Sequence, residues 1–225
     1  MKPRGRRALG VLAGVLAVVA APLLLRGVPF FRVRRVEVVG VRYLAPERVV
    51  AALRLAPDQN LFDPTGGPEE RVAALPGVVR ATLSRRLPAT LRVSVVEELP
   101  MALVSGKDGM IPLDCDGVAL PYDPSRSGLA LPIVARADTV LVRALCVVRA
   151  GDSTLYDAVD AVRPGGGGSV ILDLGPQRVR LRGAPTTDEV RAVAMVMRQL
   201  EATGRTADEV DARFNGRIYA RRGRS

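Results

Sequence analysis

The order of apolar and polar side chains begins with one long apolar segment and then breaks into shorter periodic patterns. Residues 8–25 form an uninterrupted run of 18 apolar or small residues. A helix of that length extends about 27 Å, close to the thickness of the hydrocarbon core of a bilayer. The pattern predicts a single transmembrane helix, placed at residues 8–28, behind a short tail at residues 1–7.

The charges that flank this segment predict its orientation. Four basic residues precede it, and only Arg26 follows it directly. The positive-inside rule therefore places the N-terminus in the cytoplasm and the rest of the chain across the membrane. A cleaved signal peptide, with a small-residue site that ends at Ala20, is the alternative. An uncleaved anchor is favoured, because the apolar run exceeds a signal core of about 7–15 residues and continues past Pro22.

The next region, residues 31–100, has the pattern of a small α+β domain. An alternation around Val36 predicts a strand, and two short amphipathic helices follow, beginning at Pro46 and near Pro68. Two further alternating runs predict strands at residues 78–86 and 90–97. The order β-α-α-β-β predicts a three-stranded sheet covered on one face by two helices.

Residues 101–222 predict a second, β-rich domain with several helices. In chain order we expect a hairpin at residues 111–121, a short strand at 131–134, helices at 140–148 and 154–162, a hairpin at 170–182, a long helix after Thr187 and a last hairpin at 210–221. The last hairpin turns at Asn215-Gly216, a strong signal for a tight turn. The fold class of the exported part is therefore α+β.

The composition limits the kinds of catalysis and binding that the chain can perform. The 225 residues include no His, which removes the usual general base and the commonest metal ligand. A net charge of +10 makes nucleic acid a candidate partner. However, the sequence contains no recognisable nucleic-acid-binding motif and no basic run interleaved with aromatic residues that could stack on bases. We therefore predict no catalytic residues, no cofactor, no small-molecule substrate and no nucleic-acid partner.

Two carboxylates in the first hairpin of the second domain are the best candidates for a metal site. Asp114 and Asp116 lie close together, but a calcium loop needs further oxygen ligands at fixed spacing. The Asp-Gly turn accounts for both residues, so no metal is predicted.

The two cysteines lie in the predicted exported part, where a disulfide is chemically permitted. Cys115 is placed in a turn, and Cys146 lies among apolar residues of a predicted helix. Two cysteines alone do not define a disulfide framework. The pattern favours buried free thiols over a bridge.

Three arginines alternate along one predicted strand and share one of its faces: Arg178, Arg180 and Arg182. A solvated face is the simpler interpretation, and contact with an acidic partner is the other.

Several motifs occur in a specific order along most of the chain. They are Leu-Pro-Gly-Val at residues 75–78, Leu-Pro at 87–88, Glu-Glu-Leu-Pro at 97–100, Asp-Cys-Asp-Gly at 114–117 and Asp-Ala-Arg-Phe-Asn-Gly at 211–216. Together with the apolar N-terminal segment they resemble the FtsQ/DivIB family of bacterial division proteins, in which a POTRA domain precedes a β-rich domain.

The resemblance implies a non-catalytic scaffold in the cytoplasmic (inner) membrane, located at the division septum. The POTRA-like domain would dock other divisome members, and the last strands would bind FtsB, with FtsL, by strand addition. That assembly would promote septal peptidoglycan synthesis. The residues carried over to this edge are Arg213, Phe214, Gly216, Arg217, Ile218, Tyr219 and Ala220. Candidate contacts to acidic partner residues are Arg178, Arg180 and Arg182.

Two other function classes compete with this interpretation. POTRA domains also occur in export and outer-membrane assembly factors, but the predicted hairpins are too few and too basic to build a barrel. An exported enzyme acting on cell-wall polymers would use carboxylates such as Asp114, Asp116 and Asp173, yet no paired-acid motif or nucleophile context accompanies them.

Overall fold

A computed structural model describes residues 24–123, 130–214 and 216–222. The predicted tail at residues 1–7 and most of the predicted transmembrane helix at residues 8–28 lie outside the described residues. Within the described ranges, no helix is both long and apolar enough to cross a membrane. The chain divides into two compact units, Met1–Glu97 and Glu98–Ser225, which are described separately below.

The first unit has the predicted β-α-α-β-β order. After a single 3₁₀ turn at Pro29–Phe31, its elements are β1 (Arg35–Val39), α1 (Pro46–Leu53), α2 (Gly66–Ala73), β2 (Val78–Arg86) and β3 (Thr90–Glu97). The strands form one sheet in the order β1-β3-β2. Strand β3 lies in the middle, parallel to β1 and antiparallel to β2.

The core of this unit follows from the apolar periodicities of its elements. Pro46 opens α1, where its missing N–H costs nothing, and Val49 and Leu53 are buried. They pack with residues from α2 and with the buried face of β3, which includes Val93. Two helices therefore cover one face of the sheet.

The connection from β1 to α1 is held by the last residue of β3. The carboxylate of Glu97 accepts hydrogen bonds from the backbone N–H groups of Arg42, Tyr43 and Leu44 at 2.7, 3.0 and 2.6 Å. Gly40 begins this connection with φ +86°, a conformation that L side chains rarely adopt. The carboxylate supplies acceptors for three N–H groups that no strand or helix satisfies.

The second unit contains eight strands, three α-helices and a 3₁₀ turn at Gly166–Gly168 within the described residues. Its elements are β4 (Ala102–Gly106), β5 (Gly109–Leu113), β6 (Ile133–Val134), α3 (Thr139–Gly151), α4 (Ser153–Asp157), β7 (Ala161–Pro164), β8 (Ser169–Leu174), β9 (Gln177–Arg182), α5 (Thr187–Ala202), β10 (Glu209–Phe214) and β11 (Arg217–Arg221). The fold class is α+β, with a β-rich second unit.

All eight strands form one sheet in the order β11-β10-β9-β8-β7-β6-β4-β5. The apolar stripes of α3, α4 and α5 pack in one core with the strands, with Leu145 and Val193 against residues such as Leu172 and Val179. Two strands, β5 and β11, lie at the edges of the sheet.

The prediction of a helix through Val162 was wrong. Helix α4 ends at Asp157, and Val162 lies in β7, where it pairs with Leu172 of β8 and Val134 of β6. A short apolar segment fits either periodicity, and here the neighbouring strands supply the hydrogen-bond partners that decide it. Strand β4, the main partner of β5, also went unrecognised in the sequence.

The expectation of two free thiols was also wrong. Cys115 and Cys146 form a disulfide, with Cα atoms 5.9 Å apart. The segment after β5 folds back so that Leu113 pairs with Ala119, and this brings Cys115 onto α3. An ion pair between Arg143 and Asp116 at 2.9 Å joins the same two parts of the chain. Spacing along the sequence gives no sign of this approach.

Candidate partner-binding edge

The hairpin of β10 and β11 forms one edge of the large sheet. Strand β11 is antiparallel to β10, with Asp211 opposite Tyr219 and Phe214 opposite Arg217. The register shifts between these two pairs, which places a bulge in the hairpin. Gly216, at φ +69°, lies in the turn, and Asn215 lies outside the described residues.

Helix α5 supports this hairpin from one face of the sheet. Its N-terminus has a capping box, in which the side chains of Thr186 and Glu189 each accept a hydrogen bond from the backbone N–H of the other. The buried stripe of α5, which includes Val193, packs in the same core as Val210 and Ala212 of β10. Ile218 of β11 is partly buried against that core.

The backbone groups of β11 divide between the sheet and the open edge. The carbonyl oxygen of Arg221 accepts a hydrogen bond from the N–H of Asp208 at 2.9 Å, so the polar groups of Arg221 face β10. Successive residues of a strand direct their N–H and C=O groups to opposite edges. The backbone groups of Ile218 and Ala220 therefore face outward.

Two aromatic side chains stand together on this hairpin. The rings of Phe214 and Tyr219 meet edge to face with centroids 5.5 Å apart. Their exposed fractions are 49% and 42%, so the pair offers apolar surface that the described residues leave uncovered. The guanidinium carbon of Arg213 lies 5.6 Å from the centre of the Phe214 ring, within range of a cation–π interaction.

Arg213 is bound within the chain by a buried carboxylate. Asp211 is only 1% exposed, and its two oxygens accept hydrogen bonds from the Arg213 guanidinium at 2.9 and 2.7 Å. These charged hydrogen bonds, with the Arg213 N–H and the nearby charges of Arg213 and Arg180, hold the pKa of Asp211 below its ordinary value against the opposing effect of burial. The pair fixes the side chain of Arg213 along the strand.

A small groove of ≈ 110 Å³ lies beside the hairpin, between it and α5. It is lined by Glu189, Ala192, Ala212, Phe214, Gly216, Arg217 and Ile218. Four of the seven residues predicted for this edge line the groove. Its volume suits one side chain of an added strand rather than a free ligand.

The three candidate arginines of β9 lie two strands inside the edge, and each is bound to a carboxylate. Arg178 pairs with Asp173 at 3.4 Å, Arg180 with Glu209 at 3.3 Å, and Arg182 with Glu189. Strands β9 and β10 are adjacent, with Val179 beside Val210. A partner acid at these positions has to compete with carboxylates already in place.

Two further features of the edge were not predicted from the sequence. Ala192 and Glu189 reach the groove from α5, and Asp211 holds Arg213. The Asp-x-Arg spacing along a strand, which places both side chains on one face, was the available signal for that pair. In the described part of the chain, no group of three His, Cys, Asp or Glu could hold a metal ion.

Comparison with known proteins identifies the first unit. Residues 31–98 match the family described as "POTRA domain, FtsQ-type". That range includes all of β1 to β3.

Three relatives are similar over longer stretches, and each is named "Cell division protein FtsQ". The protein from Mycolicibacterium smegmatis is 38% identical over 132 residues, that from Mycobacteroides abscessus 30% over 206, and that from Mycobacterium bovis 30% over 211. These matches cover 57%, 88% and 91% of this chain, and 39%, 66% and 67% of the respective relatives. The chain thus spans between about two fifths and two thirds of the length of these relatives.

Proposed function

Since this chain belongs to the FtsQ/DivIB family of non-catalytic bacterial cell division proteins, we propose that it is a single-pass membrane scaffold of the divisome. Its role is to bring FtsB- and FtsL-type partners to the septum and so to promote septal peptidoglycan synthesis. The relatives reported above are all named as cell division proteins, which favours division over an export or outer-membrane assembly role.

The proposed anchor is the helix predicted at residues 8–28, with the N-terminus in the cytoplasm. The POTRA-like domain, at residues 31–100, and the FtsQ-type β domain, at residues 101–222, then lie outside the cytoplasmic membrane. The long apolar run and the four basic residues before it support this arrangement.

The observation that carries the proposed mechanism is the open edge of β11. Its outward backbone groups at Ile218 and Ala220 are unsatisfied by the sheet, and an extended partner segment satisfies them by adding a ninth strand. Main-chain hydrogen bonds supply affinity in this mode, and the flanking side chains supply specificity.

The side chains beside this edge suit a partner strand with one apolar anchor and acidic neighbours. The Phe214–Tyr219 pair and the groove beside α5 receive the apolar residue. Arg217 is exposed and forms no ion pair with the described residues, so it is the first candidate for an acidic contact. Carboxylates of the chain already bind Arg213 and the three β9 arginines. These four side chains therefore attract a partner acid through the electrostatic potential at the edge rather than by direct ion pairs.

The POTRA-like domain provides a second docking module for other divisome members. Its sheet order leaves β2 at an edge, and most side chains of that strand are exposed. Edge strands of this kind accept a further strand from a partner.

Ala220→Pro tests the edge most directly. The substitution removes an outward N–H while the exposed side chain of Ala220 contributes nothing to the core. Ile218→Pro also removes an outward N–H but disturbs a side chain that packs against the core. Ala220→Thr, which keeps the N–H, is the matched control.

The measurement is a titration of each full-length variant, in detergent, with the exported segment of FtsB. We expect Ala220→Pro to lower the affinity at least tenfold and Ala220→Thr to leave it within about threefold. Equal affinities for the folded proline variant and the unchanged protein would rule out strand addition at β11.

A further inference from the structure

The N-terminal segment of the first unit is bound tightly to one loop of that unit. The Arg26 side chain donates a hydrogen bond to the Phe62 carbonyl at 2.9 Å, and the Asn60 amide donates to the Val28 carbonyl at 3.1 Å. The Leu61 N–H donates to the Phe31 carbonyl at 2.9 Å. The chain therefore enters this unit without a slack linker between Arg26 and Phe31.

The turn between β2 and β3 lies at the same end of the unit. The Arg85 guanidinium donates to the carbonyls of Leu61 and Asp63, in the loop that binds the N-terminal segment. The backbone N–H of Arg34 donates to the Ala89 carbonyl at 2.8 Å. One loop thus ties the turn to the start of the unit.

At this end of the unit, exposed apolar side chains lie in the same segments as exposed arginines. Leu87, at the turn, is 66% exposed, and Phe30 and Leu24 are also exposed. Four arginines with exposed side chains lie in the same segments: Arg32, Arg34, Arg35 and Arg86. Arg35 and Arg86 both lie opposite Thr90 of β3, and Arg86 directly precedes Leu87. None of the four forms an ion pair with a carboxylate of residues 24–123, 130–214 or 216–222.

The carboxylates near this surface are already engaged. Glu37 accepts two hydrogen bonds from Arg92, at 2.9 and 2.7 Å, and forms an ion pair with it. Asp63 accepts hydrogen bonds from the N–H of Asn60 and the side chain of Gln59. The local field that remains is positive, which favours an anionic occupant.

We propose that this surface, consisting of Phe30, Arg34, Arg35, Arg86 and Leu87, lies against the membrane and binds anionic phospholipids. Leu87 enters the interface, and the three guanidinium groups bind lipid phosphates. Exposed apolar tips flanked by arginines match the chemistry of the headgroup region, where guanidinium groups contact phosphate while aliphatic and aromatic groups contact acyl chains.

This inference rests on the anchor proposed for residues 8–28. The described chain begins at Leu24, and the absence of slack up to Phe31 holds the surface within reach of any bilayer that the anchor spans. A lipid surface explains both the exposed leucine and the three exposed arginines. None of the three forms an ion pair with a described carboxylate, although Arg35 and Arg86 lie near enough to Glu37 for their charges to act on it. The consequence is that the first unit is held at the membrane in a fixed orientation, through two attachments rather than one.

The chain contains no Trp, so a single introduced tryptophan reports its own surroundings. Leu87→Trp places the reporter at the turn. Val79→Trp is the matched control, because Val79 is 58% exposed on β2, the strand that leads into this turn, but lies about 26 Å from Leu87 along the chain. Each full-length variant is reconstituted into vesicles of phosphatidylcholine, with or without phosphatidylglycerol, and titrated with lipids brominated on the acyl chains.

We expect brominated lipids to quench the Leu87→Trp variant at least threefold more than the Val79→Trp variant in vesicles that contain phosphatidylglycerol. We also expect this difference to fall in pure phosphatidylcholine and at high salt. Adding Arg34→Gln, Arg35→Gln and Arg86→Gln to the Leu87→Trp variant should lower the quenching to the phosphatidylcholine level. Circular dichroism and hydrogen-exchange protection of the amides in β3 verify that the first unit of the variant is folded.

Two results would overturn the inference at different levels. If alkaline washing releases the chain from the vesicles, the proposed anchor fails, and this inference fails with it. If the chain stays in the membrane but the Leu87→Trp and Val79→Trp variants are quenched equally, only the lipid contact fails. A reporter in the Leu87→Trp variant that is shielded from water but not quenched by brominated lipid would indicate a protein occupant, which would also contradict the lipid contact.

Discussion

The guanidinium group of Arg213 donates hydrogen bonds to both carboxylate oxygens of Asp211, two residues earlier on the same strand, at 2.9 and 2.7 Å. Asp211 is buried, whereas Arg213 keeps about a third of its side chain exposed. The pair spans the bulge between Asp211 and Phe214 and so fixes the strand next to the open edge. Arg213 therefore positions the edge, and Arg217 is the freer cation for a partner.

The Asp211 pair should make stability depend on pH. The folded-state pKa of Asp211 lies below the unfolded value of about 3.9, so its contribution is present above about pH 4 and is lost as the pH falls through the folded-state pKa. We expect Asp211→Asn to lose about 1–3 kcal/mol of unfolding free energy at pH 7 and less at pH 3. Urea unfolding at both pH values measures this. A loss that stays constant between them would contradict the assigned role.

The Phe214–Tyr219 pair should contribute to partner binding more than to folding. Both rings are about half exposed, so their removal costs little core packing. We expect Phe214→Ala or Tyr219→Ala to weaken binding of the FtsB segment by more than about 1 kcal/mol, at least fivefold in Kd. Met195→Ala, which removes an exposed apolar side chain from α5, serves as the control and should leave Kd unchanged. An equal effect of all three substitutions would argue against an aromatic anchor at this edge.

The disulfide between Cys115 and Cys146 should stabilise the second unit. It closes a loop between residues 31 positions apart, for which the chain-entropy estimate is about 3–4 kcal/mol. Reduction should therefore lower the urea midpoint of the second unit and leave the first unit unchanged. The double variant Cys115→Ala with Cys146→Ala should already have the lower midpoint and show no response to reductant. Insensitivity of the unchanged protein to full reduction would refute this prediction.

Gly40 should be intolerant of a side chain. Its φ of +86° is unfavourable for L residues, and a Cβ atom there would meet the carbonyl oxygen of Val95. We expect Gly40→Ala to destabilise the first unit by more than about 3 kcal/mol. Gly66→Ala is the matched control, since nothing lies within 4 Å of the added Cβ atom. Hydrogen exchange of the amides in β3 measures this, with lower protection expected in Gly40→Ala than in Gly66→Ala. Similar protection in both variants would contradict the close approach of Gly40 to the Val95 carbonyl.

The first unit was largely predictable because its elements are strongly periodic and locally punctuated. Pro46 opens α1, and the alternation of buried and partly buried residues in β3 marks which face of the strand meets the helices. The prediction failed where a short apolar segment fits two periodicities. Val162 lies in β7 because β6 and β8 flank it, and the segment itself contains no signal for that pairing.

The order of apolar and polar residues by itself determined the α+β class, the β-α-α-β-β order and the closing hairpin at β10 and β11. Those features depend on local periodicity and turn chemistry, which act over a few residues. Only the tertiary structure decided that β11 lies at an edge, that Cys115 meets Cys146 and that the β9 arginines are bound by carboxylates. Each of these depends on which distant segments pack together, and packing is a property of the whole core rather than of any one segment.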